Sequence, residues 1–210
     1  MRKPIFLLAS LALAAAQTPH QHHPPASADE YARALEDPGR DEWQKPHEVV
    51  MALGLRPDQA IADIGAGTGY FTRRFAHHAA TVYAVDIDPK LLEILRKDAP
   101  RNVVTVLAPP DDPRLPPHSV DVIFFCDVLH HIQNRERYLP KLAAALKPGG
   151  RVVNVDFYKK DLPLGPPVSM KLSEDEVIAE FKAAGFRLSG RRDFLPYQYF
   201  LVFEPAHASR

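Results

Sequence analysis

The chain has 210 residues, enough for one domain with a sizeable hydrophobic core. Its 26 lysines and arginines balance 26 aspartates and glutamates, so no net charge attracts nucleic acid or an anionic membrane. The single cysteine, Cys126, excludes an internal disulfide, and the apolar run before it predicts a buried side chain.

The N-terminal region differs in composition from the rest of the chain. Arg2 and Lys3 precede about a dozen apolar residues that end in small ones, which is the pattern of a secretory signal peptide over residues 1–16. This stretch is too short to span a bilayer comfortably as a mature anchor. Residues 17–28 are rich in proline, histidine and polar residues and predict a disordered linker. We expect an exported protein, periplasmic or secreted, if the signal is cleaved and a cytoplasmic one otherwise, with residues 29–210 forming the domain.

Helices and strands are predicted to alternate through that domain. The predicted helices cover residues 29–36, 46–53, 69–78, 89–97, 135–146 and 174–184. The predicted strands cover residues 60–64, 81–86, 103–107, 120–126, 151–156, 186–193 and 197–203. Such alternation implies parallel pairing with right-handed crossovers, and therefore a doubly wound α/β sheet. Because ligands bind such sheets beyond the carboxyl ends of the strands, the turns after residues 64, 86, 107, 126 and 156 should share one cleft.

A glycine-rich turn follows the first predicted strand. Asp63 ends the apolar run, and Gly65, Gly67 and Gly69 follow at alternate positions before a predicted helix. Glycines let the backbone turn sharply and let a ligand approach closely, and the helix start offers free N–H groups. The dinucleotide fingerprint requires a third glycine where this chain has Tyr70, and no Lys-Ser/Thr pair makes a P-loop. The turn therefore predicts a nucleotide-type cofactor and argues against NAD(P).

The motif Asp63-x-Gly65-x-Gly67-x-Gly69 resembles the first motif of class I S-adenosylmethionine (SAM)-dependent methyltransferases. Asp86, about 20 residues beyond the glycines, the loop over residues 108–119 and the Lys-Pro-Gly-Gly stop at residues 147–150 follow in the order of that family. The resemblance covers roughly residues 46–203. It implies a Rossmann-like fold in which a C-terminal antiparallel hairpin closes a mostly parallel, seven-stranded sheet.

The same resemblance implies the activity. SAM is the expected cofactor, and an unidentified small molecule is the expected methyl acceptor. The segment after the fourth strand lacks the Asn/Asp-Pro-Pro-aromatic pattern of amino-methyltransferases and looks like that of small-molecule methyltransferases of the ubiquinone-biosynthesis type. Two alternatives stay open, a non-catalytic SAM- or nucleoside-binding protein and an NAD(P)-dependent oxidoreductase.

Cofactor contacts are also implied by the resemblance. Asp86 is expected to accept hydrogen bonds from ribose hydroxyls. Asp63 is expected beneath the methionine portion of SAM, and either Asp111 or Asp112 near the adenine amino group. The full predicted set is Asp63, Gly65, Ala66, Gly67, Gly69, Tyr70, Asp86, Ile87, Asp111, Asp112 and Asp127.

Three residues after the fourth strand are candidates for chemistry: Asp127, His130 and His131. Methyl transfer is an in-line displacement at an already activated sulfonium, so the protein chiefly aligns donor and acceptor and excludes water. A general base helps only when the acceptor must lose a proton, and one of the three would then serve. Metal-dependent O-methyltransferases use carboxylates from these strand ends, and Asp127 with Asp156 is the minority alternative for Mg²⁺; we expect no metal.

Overall fold

The computed structural model describes residues 28–206 and shows a single twisted sheet with helices on both faces. Within these residues seven strands follow the spatial order β3 (Val103–Leu107), β2 (Thr81–Asp86), β1 (Ala60–Ile64), β4 (Val120–Cys126), β5 (Leu146–Phe157), β7 (Gln198–Pro205) and β6 (Phe186–Arg192). The first five are parallel, and β7 is antiparallel to both of its neighbours. This confirms the predicted doubly wound sheet with its C-terminal hairpin. The predicted signal peptide, and the predicted linker up to residue 27, lie outside the described residues.

The strands are β1 Ala60–Ile64, β2 Thr81–Asp86, β3 Val103–Leu107, β4 Val120–Cys126, β5 Leu146–Phe157, β6 Phe186–Arg192 and β7 Gln198–Pro205. The helices are α1 Ala28–Leu35, α2 Arg40–Gln44, α3 Pro46–Leu53, α4 Tyr70–Phe75, α5 Pro89–Arg96, α6 Arg135–Ala145 and α7 Glu174–Ala183. Two short 3₁₀ helices cover Leu129–His131 and Val168–Met170. In the described part of the chain, every helix is too short or too polar to cross a membrane.

Local signals in the sequence explain several helix ends. Asp88 caps α5 by accepting a hydrogen bond from the Lys90 N–H at 2.8 Å, with Pro89 in the first helical position. Ser173 and Glu176 form a reciprocal capping box at the start of α7. Both caps satisfy backbone N–H groups in the first turn of their helix and so fix where each helix begins.

Most predicted boundaries agree with the structure within two residues, and larger differences occur at three places. A short helix that was not predicted, α2, begins at Arg40 directly after a turn in which the Asp37 carboxylate accepts from the Gly39 N–H at 2.9 Å. The predicted helix over residues 69–78 ends at Phe75. Strand β5 begins at residue 146 rather than 151, because residues 147–150 form a bulge that stays continuous with the strand.

Two hydrophobic clusters lie on opposite faces of the sheet. One packs α6 and α7 against it through Tyr138, Leu139, Leu142, Val177 and Phe181. The other packs α3 and α4 through Val49, Val50, Leu53, Phe71 and Phe75. Because helices cover both faces, the carboxyl ends of the central strands are where a ligand can reach the sheet.

Candidate active site

The glycine-rich turn needs glycine for two separate reasons. Gly65 and Gly67 have φ angles of 71° and 56°, in the left-handed region that favours glycine. A Cβ atom on Gly65 would lie 2.3 Å from a methyl group of Val128, and one on Gly67 would lie 2.9 Å from a methyl group of Leu35. The turn is therefore clamped between the loop after β4 and the end of α1, with bare main chain between them.

A cavity of about 380 Å³, here called the strand-tip cavity, opens beside this turn. Its walls come from the turns after β1, β2, β3 and β4, so four of the five predicted turns share the cleft. The lining residues are Ile64, Gly65, Val85, Asp86, Ile87, Ala108, Pro109, Pro110, Asp111, Val128, His131, Ile132, Gln133, Asn134 and Tyr138. The wall is mostly apolar and carries two carboxylates, Asp86 and Asp111.

Asp86 is the buried carboxylate of this cavity. Its Oδ2 accepts from the Gly67 N–H at 2.7 Å and its Oδ1 from the Asp88 N–H at 2.9 Å. Burial raises the pKa of Asp86 above its ordinary value, and these backbone hydrogen bonds partly offset the increase. The carboxylate is thus fixed between the glycine-rich turn and the cavity, where it can accept hydrogen bonds from hydroxyl groups.

The second carboxylate of the cavity belongs to one of two neighbouring candidates, Asp111 and Asp112. Asp111 is exposed and lines the strand-tip cavity. Asp112 instead accepts from the Arg114 N–H at 2.8 Å and pairs with Lys141 at 3.1 Å. Of the two aspartates expected near an adenine amino group, Asp111 therefore has the position for that contact.

Asp63 lies underneath the turn rather than in the cavity. Its Oδ2 accepts from the Thr72 hydroxyl at 2.6 Å, which ties the end of β1 to α4. Burial raises the pKa of Asp63 to about 7, against the effect of the Thr72 hydrogen bond. Asp63 thus holds the two elements that flank the glycine-rich turn, and its predicted contact with a cofactor stays a prediction.

Helices α1 and α2 form a cap over the glycine-rich turn. The Glu36 carboxylate accepts from the Thr68 hydroxyl at 2.5 Å and from Arg73 at 2.6 Å. The Tyr70 hydroxyl donates to Asp41 at 2.5 Å, so this predicted cofactor residue contacts the cap and lies outside the cavity lining. The cap thus covers part of the turn with residues that lie outside the cavity lining.

A buried polar network, here called the cap cluster, joins Arg40, Gln44, Asp127 and Gln198. Gln44 donates to Gln198 at 2.7 Å, and Gln198 donates to Asp127 Oδ1 at 2.6 Å. Arg40 Nη2 lies 3.9 Å from Asp127 Oδ2. Asp127 itself has a φ angle of 58°, an uncommon value for a residue other than glycine. Burial raises the pKa of Asp127 to about 6, with a further increase from the charge of Asp156.

The two histidines after β4 occupy different environments. His130 Nδ1 lies 2.9 Å from both oxygens of Asp156, and its side chain is 2% exposed. Burial lowers the pKa of His130, but the hydrogen bond and charge of Asp156, with the charge of Asp127, outweigh it and raise the pKa overall. The His131 ring packs against the His130 ring, with centroids 4.1 Å apart, and lines the strand-tip cavity.

The structure therefore divides the predicted site residues into separate groups. Those that line the strand-tip cavity are Gly65, Asp86, Ile87, Asp111 and His131. Those outside its lining are Asp63, Ala66, Gly67, Gly69, Tyr70, Asp112, Asp127 and His130. The sequence does not indicate Arg40, Gln44 and Gln198 as a group, since no local motif links residues so far apart in the chain. Between residues 28 and 206, no three His, Cys, Asp or Glu side chains are grouped to hold a metal ion.

The central part of the chain is similar to known sequences. Residues 62–154 match the profile of a family described as a methyltransferase domain. Over 107 residues the chain is 37% identical to the demethylmenaquinone methyltransferase of Tropheryma whipplei (strain Twist), covering 50% of this chain and 44% of that protein. Over 124 residues it is 32% identical to a ubiquinone/menaquinone biosynthesis C-methyltransferase of Ectopseudomonas mendocina, covering 55% and 48%. The chain spans about half the length of these curated relatives.

Solved structures share the fold over most of the chain. A SAM-dependent methyltransferase from Aquifex aeolicus has a TM-score of 0.78 at 24% identity and covers 84% of this chain and 97% of its own. The structure of the DhpI–SAH complex has a TM-score of 0.70 at 20% identity, covering 86% and 92%. The predicted Rossmann-like methyltransferase fold is confirmed.

Proposed function

We propose that this chain, which carries a methyltransferase domain over residues 62–154 and the fold of SAM-dependent methyltransferases, binds SAM and transfers its methyl group to a small-molecule acceptor. The observation that carries the proposal is the strand-tip cavity, where bare main chain at Gly65 and the fixed carboxylate of Asp86 face the same space. A side chain at position 65 would collide with Val128, so the turn is built for close approach.

The residues present fit this cofactor. Asp86 would accept hydrogen bonds from the ribose hydroxyls, and Asp111 would accept from the adenine amino group. Ile87 and Ile132 supply apolar surface for the base. SAM supplies a methyl group already activated on a sulfonium, so the chain's task is to align the reactants and exclude water.

A small acceptor is supported by two relatives whose names place them in menaquinone or ubiquinone metabolism. An acceptor that loses a proton requires a base near the transfer centre. His131 lines the cavity wall, whereas the Nδ1 of His130 is held by Asp156 and Asp127 is part of the cap cluster. Turnover of single alanine variants at these three positions tests the general-base role. Intact turnover in all three variants would show that none of them is the base.

Calorimetry with S-adenosylhomocysteine (SAH), the demethylated form of the cofactor, tests the proposal directly. We expect micromolar binding, about −8 kcal/mol, and no comparable binding of NADH. Asp86→Ala should weaken SAH binding at least tenfold because the ribose loses its acceptor. Asp112→Ala is the matched control, since this neighbouring aspartate faces Lys141 outside the cavity. Absence of SAH binding to the unaltered chain would refute the proposal.

Export of the protein is a separate part of the proposal. It is supported by the basic, apolar and small-residue order of residues 1–16. N-terminal sequencing of the protein from its natural host tests it. A mature chain that begins after Ala16 is the expected result, and an intact Met1-Arg2-Lys3 start would contradict it.

A further inference from the structure

A methyl acceptor needs a place beside the strand-tip cavity. That cavity takes the turns after β1, β2, β3 and β4, whereas the turn after β5 lies outside its lining. Strand β5 is parallel to β4 and next to it, so the two strands end side by side. From β5 the chain continues into residues 158–173, here called the β5–α7 loop. This loop is therefore the part of the carboxyl edge that a second ligand can use.

Lys171 is a buried cation in the β5–α7 loop. The residue is 3% exposed. Its Nζ donates to the Lys160 carbonyl at 2.8 Å, and between residues 28 and 206 it forms no ion pair with a carboxylate. Burial lowers the pKa of Lys171, and the more distant charges of Asp161 and Asp156 oppose this effect. Because a lysine is rarely buried without a paired carboxylate and its ammonium has three donors, Lys171 has the capacity to bind an anion.

Aromatic rings lie next to this ammonium. Lys171 Nζ is 5.8 Å from the centroid of the Phe157 ring, and the ring of Trp43 in α2 packs against Phe157 with centroids 5.6 Å apart. Main chain packs on another part of the same ring, since a Cβ on Gly165 would lie 2.8 Å from Phe157 Cδ1. Ring surface with one cation beside it suits a planar ligand that carries a negative charge.

The β5–α7 loop covers this surface with few hydrogen bonds. Within the described structure, residues 161–169 make no backbone hydrogen bond to any residue outside the loop. Packing holds them instead, because Leu162 and Leu164 are half-buried and Pro166 is buried. A segment that is held mainly by packing opens at a lower cost in free energy than a hydrogen-bonded strand does. A ligand can therefore reach Phe157 and Lys171 when the loop moves aside.

We propose that Lys171 and Phe157 bind the methyl acceptor beneath the β5–α7 loop, and that this acceptor joins an aromatic ring to an anionic oxygen group such as a carboxylate. The inference rests on the proposed function and names the substrate class of the same site. The anionic oxygens would accept from the ammonium of Lys171, while the ring packs on Phe157. A neutral ring of the same shape would leave the buried ammonium without a counter-ion and should bind more weakly.

The test compares two probes that differ in charge. 4-Hydroxybenzoate and 4-hydroxybenzamide share the ring and the hydroxyl group, but the first alone carries a carboxylate. Calorimetry measures the affinity of each for the protein saturated with SAH. We expect 4-hydroxybenzoate to bind at least tenfold more tightly and to change the fluorescence of Trp43, the single tryptophan of the chain. In Lys171→Met this preference should fall below twofold. SAH affinity should change less than twofold, which also shows that the variant is folded.

Lys160→Met is the matched control. It removes an equal charge from the same loop, but the Lys160 side chain is exposed, with its Nζ 5.1 Å from the Tyr158 ring. The Lys160 carbonyl that Lys171 contacts is kept, so the preference for 4-hydroxybenzoate should stay within twofold of that of the unaltered protein.

Three results would overturn the inference and leave the donor site standing. They are equal loss of the preference in both lysine variants, equal affinity of the unaltered protein for the two probes, and binding of neither probe in the presence of SAH. A preference that survives in Lys171→Met would equally exclude Lys171 as the anion-binding group. Absence of SAH binding to the unaltered protein would instead refute the proposed function itself.

Discussion

The strand-tip cavity and the cap cluster both lie near the glycine-rich turn and are built in opposite ways. The cavity is open and mostly apolar, and its key groups follow the strands within a few residues. The cap cluster is closed and polar, and it joins α2, the end of β4 and the start of β7. Local sequence therefore determines the first, whereas the second exists only after the whole sheet has formed. The two should respond differently to substitution.

Gly65→Ala should have the largest effect, because it places a methyl group where the wall of the strand-tip cavity has room for bare main chain only. The new Cβ would lie 2.3 Å from Val128 Cγ2, and the φ of 71° disfavours any side chain. We expect loss of detectable SAH binding and a fall of about 3 kcal/mol in the free energy of unfolding. Calorimetry and urea denaturation measure the two effects.

Gly54→Ala separates the two causes of that loss. Gly54 has a similar φ of 56°, but a Cβ there would meet nothing within 4 Å. It should cost about 1 kcal/mol, the strain alone, and leave SAH affinity unchanged. Equal destabilisation by both substitutions would show that the contact with Val128 is unimportant.

Gln198→Leu addresses the cap cluster instead. It removes the amide that donates to Asp127 and accepts from Gln44. The Asp127 carboxylate and the Gln44 amide then stay buried without this partner. We expect a loss of about 2 kcal/mol in unfolding free energy, since unsatisfied buried polar groups are costly. The double variant with Gln44→Leu should lose less than the sum of the single variants, because the two amides bond to each other. Additive losses in urea denaturation would mean that the amides act independently.

The strand-tip cavity is more predictable from the sequence than the cap cluster, because its groups follow the strands closely whereas the cap cluster joins distant segments. The glycine-rich turn directly follows one predicted strand and Asp86 ends another, so their position at the carboxyl ends of the strands could be inferred. The choice between Asp111 and Asp112 could not, because it depends on Lys141 in a helix about 30 residues further along. Arg40 could not be predicted either, since its partners come from distant segments.

Proline and glycine residues predict only some of the helix and strand boundaries. The helix α6 includes Pro140 in its interior and still ends where the Lys-Pro-Gly-Gly segment predicts. That segment was expected to separate helix from strand, yet Val120 pairs with Leu146 and Val122 with Arg151. Pairing with β4 thus absorbs residues 147–150 as a bulge, and tertiary structure overrides the local preference.

The stability of the protein should depend on pH through Asp63, the buried carboxylate beneath the glycine-rich turn. Burial raises the pKa of Asp63 from 3.8 to about 7, so between these pH values the folded state holds a proton that the unfolded state has released. Stability must therefore fall as the pH rises through this window. From pH 5 to pH 7 we expect Asp63 to account for a loss of about 2 kcal/mol. Asp63→Asn should remove that part of the slope in urea denaturation, and an unchanged slope would contradict the assignment.

Ile87→Ala should have the smallest effect and marks the outer limit of the strand-tip cavity. Ile87 is 61% exposed and lines the cavity next to Asp86. Because its side chain is mostly in solvent, the free energy of unfolding should change by less than about 0.5 kcal/mol. A bound nucleoside would cover part of the side chain, so SAH affinity should fall about threefold through lost apolar contact. Met51→Ala, at a similarly exposed side chain outside the cavity lining, should change neither quantity. If calorimetry gave the same small change for both variants, Ile87 would lie outside the surface that the ligand covers.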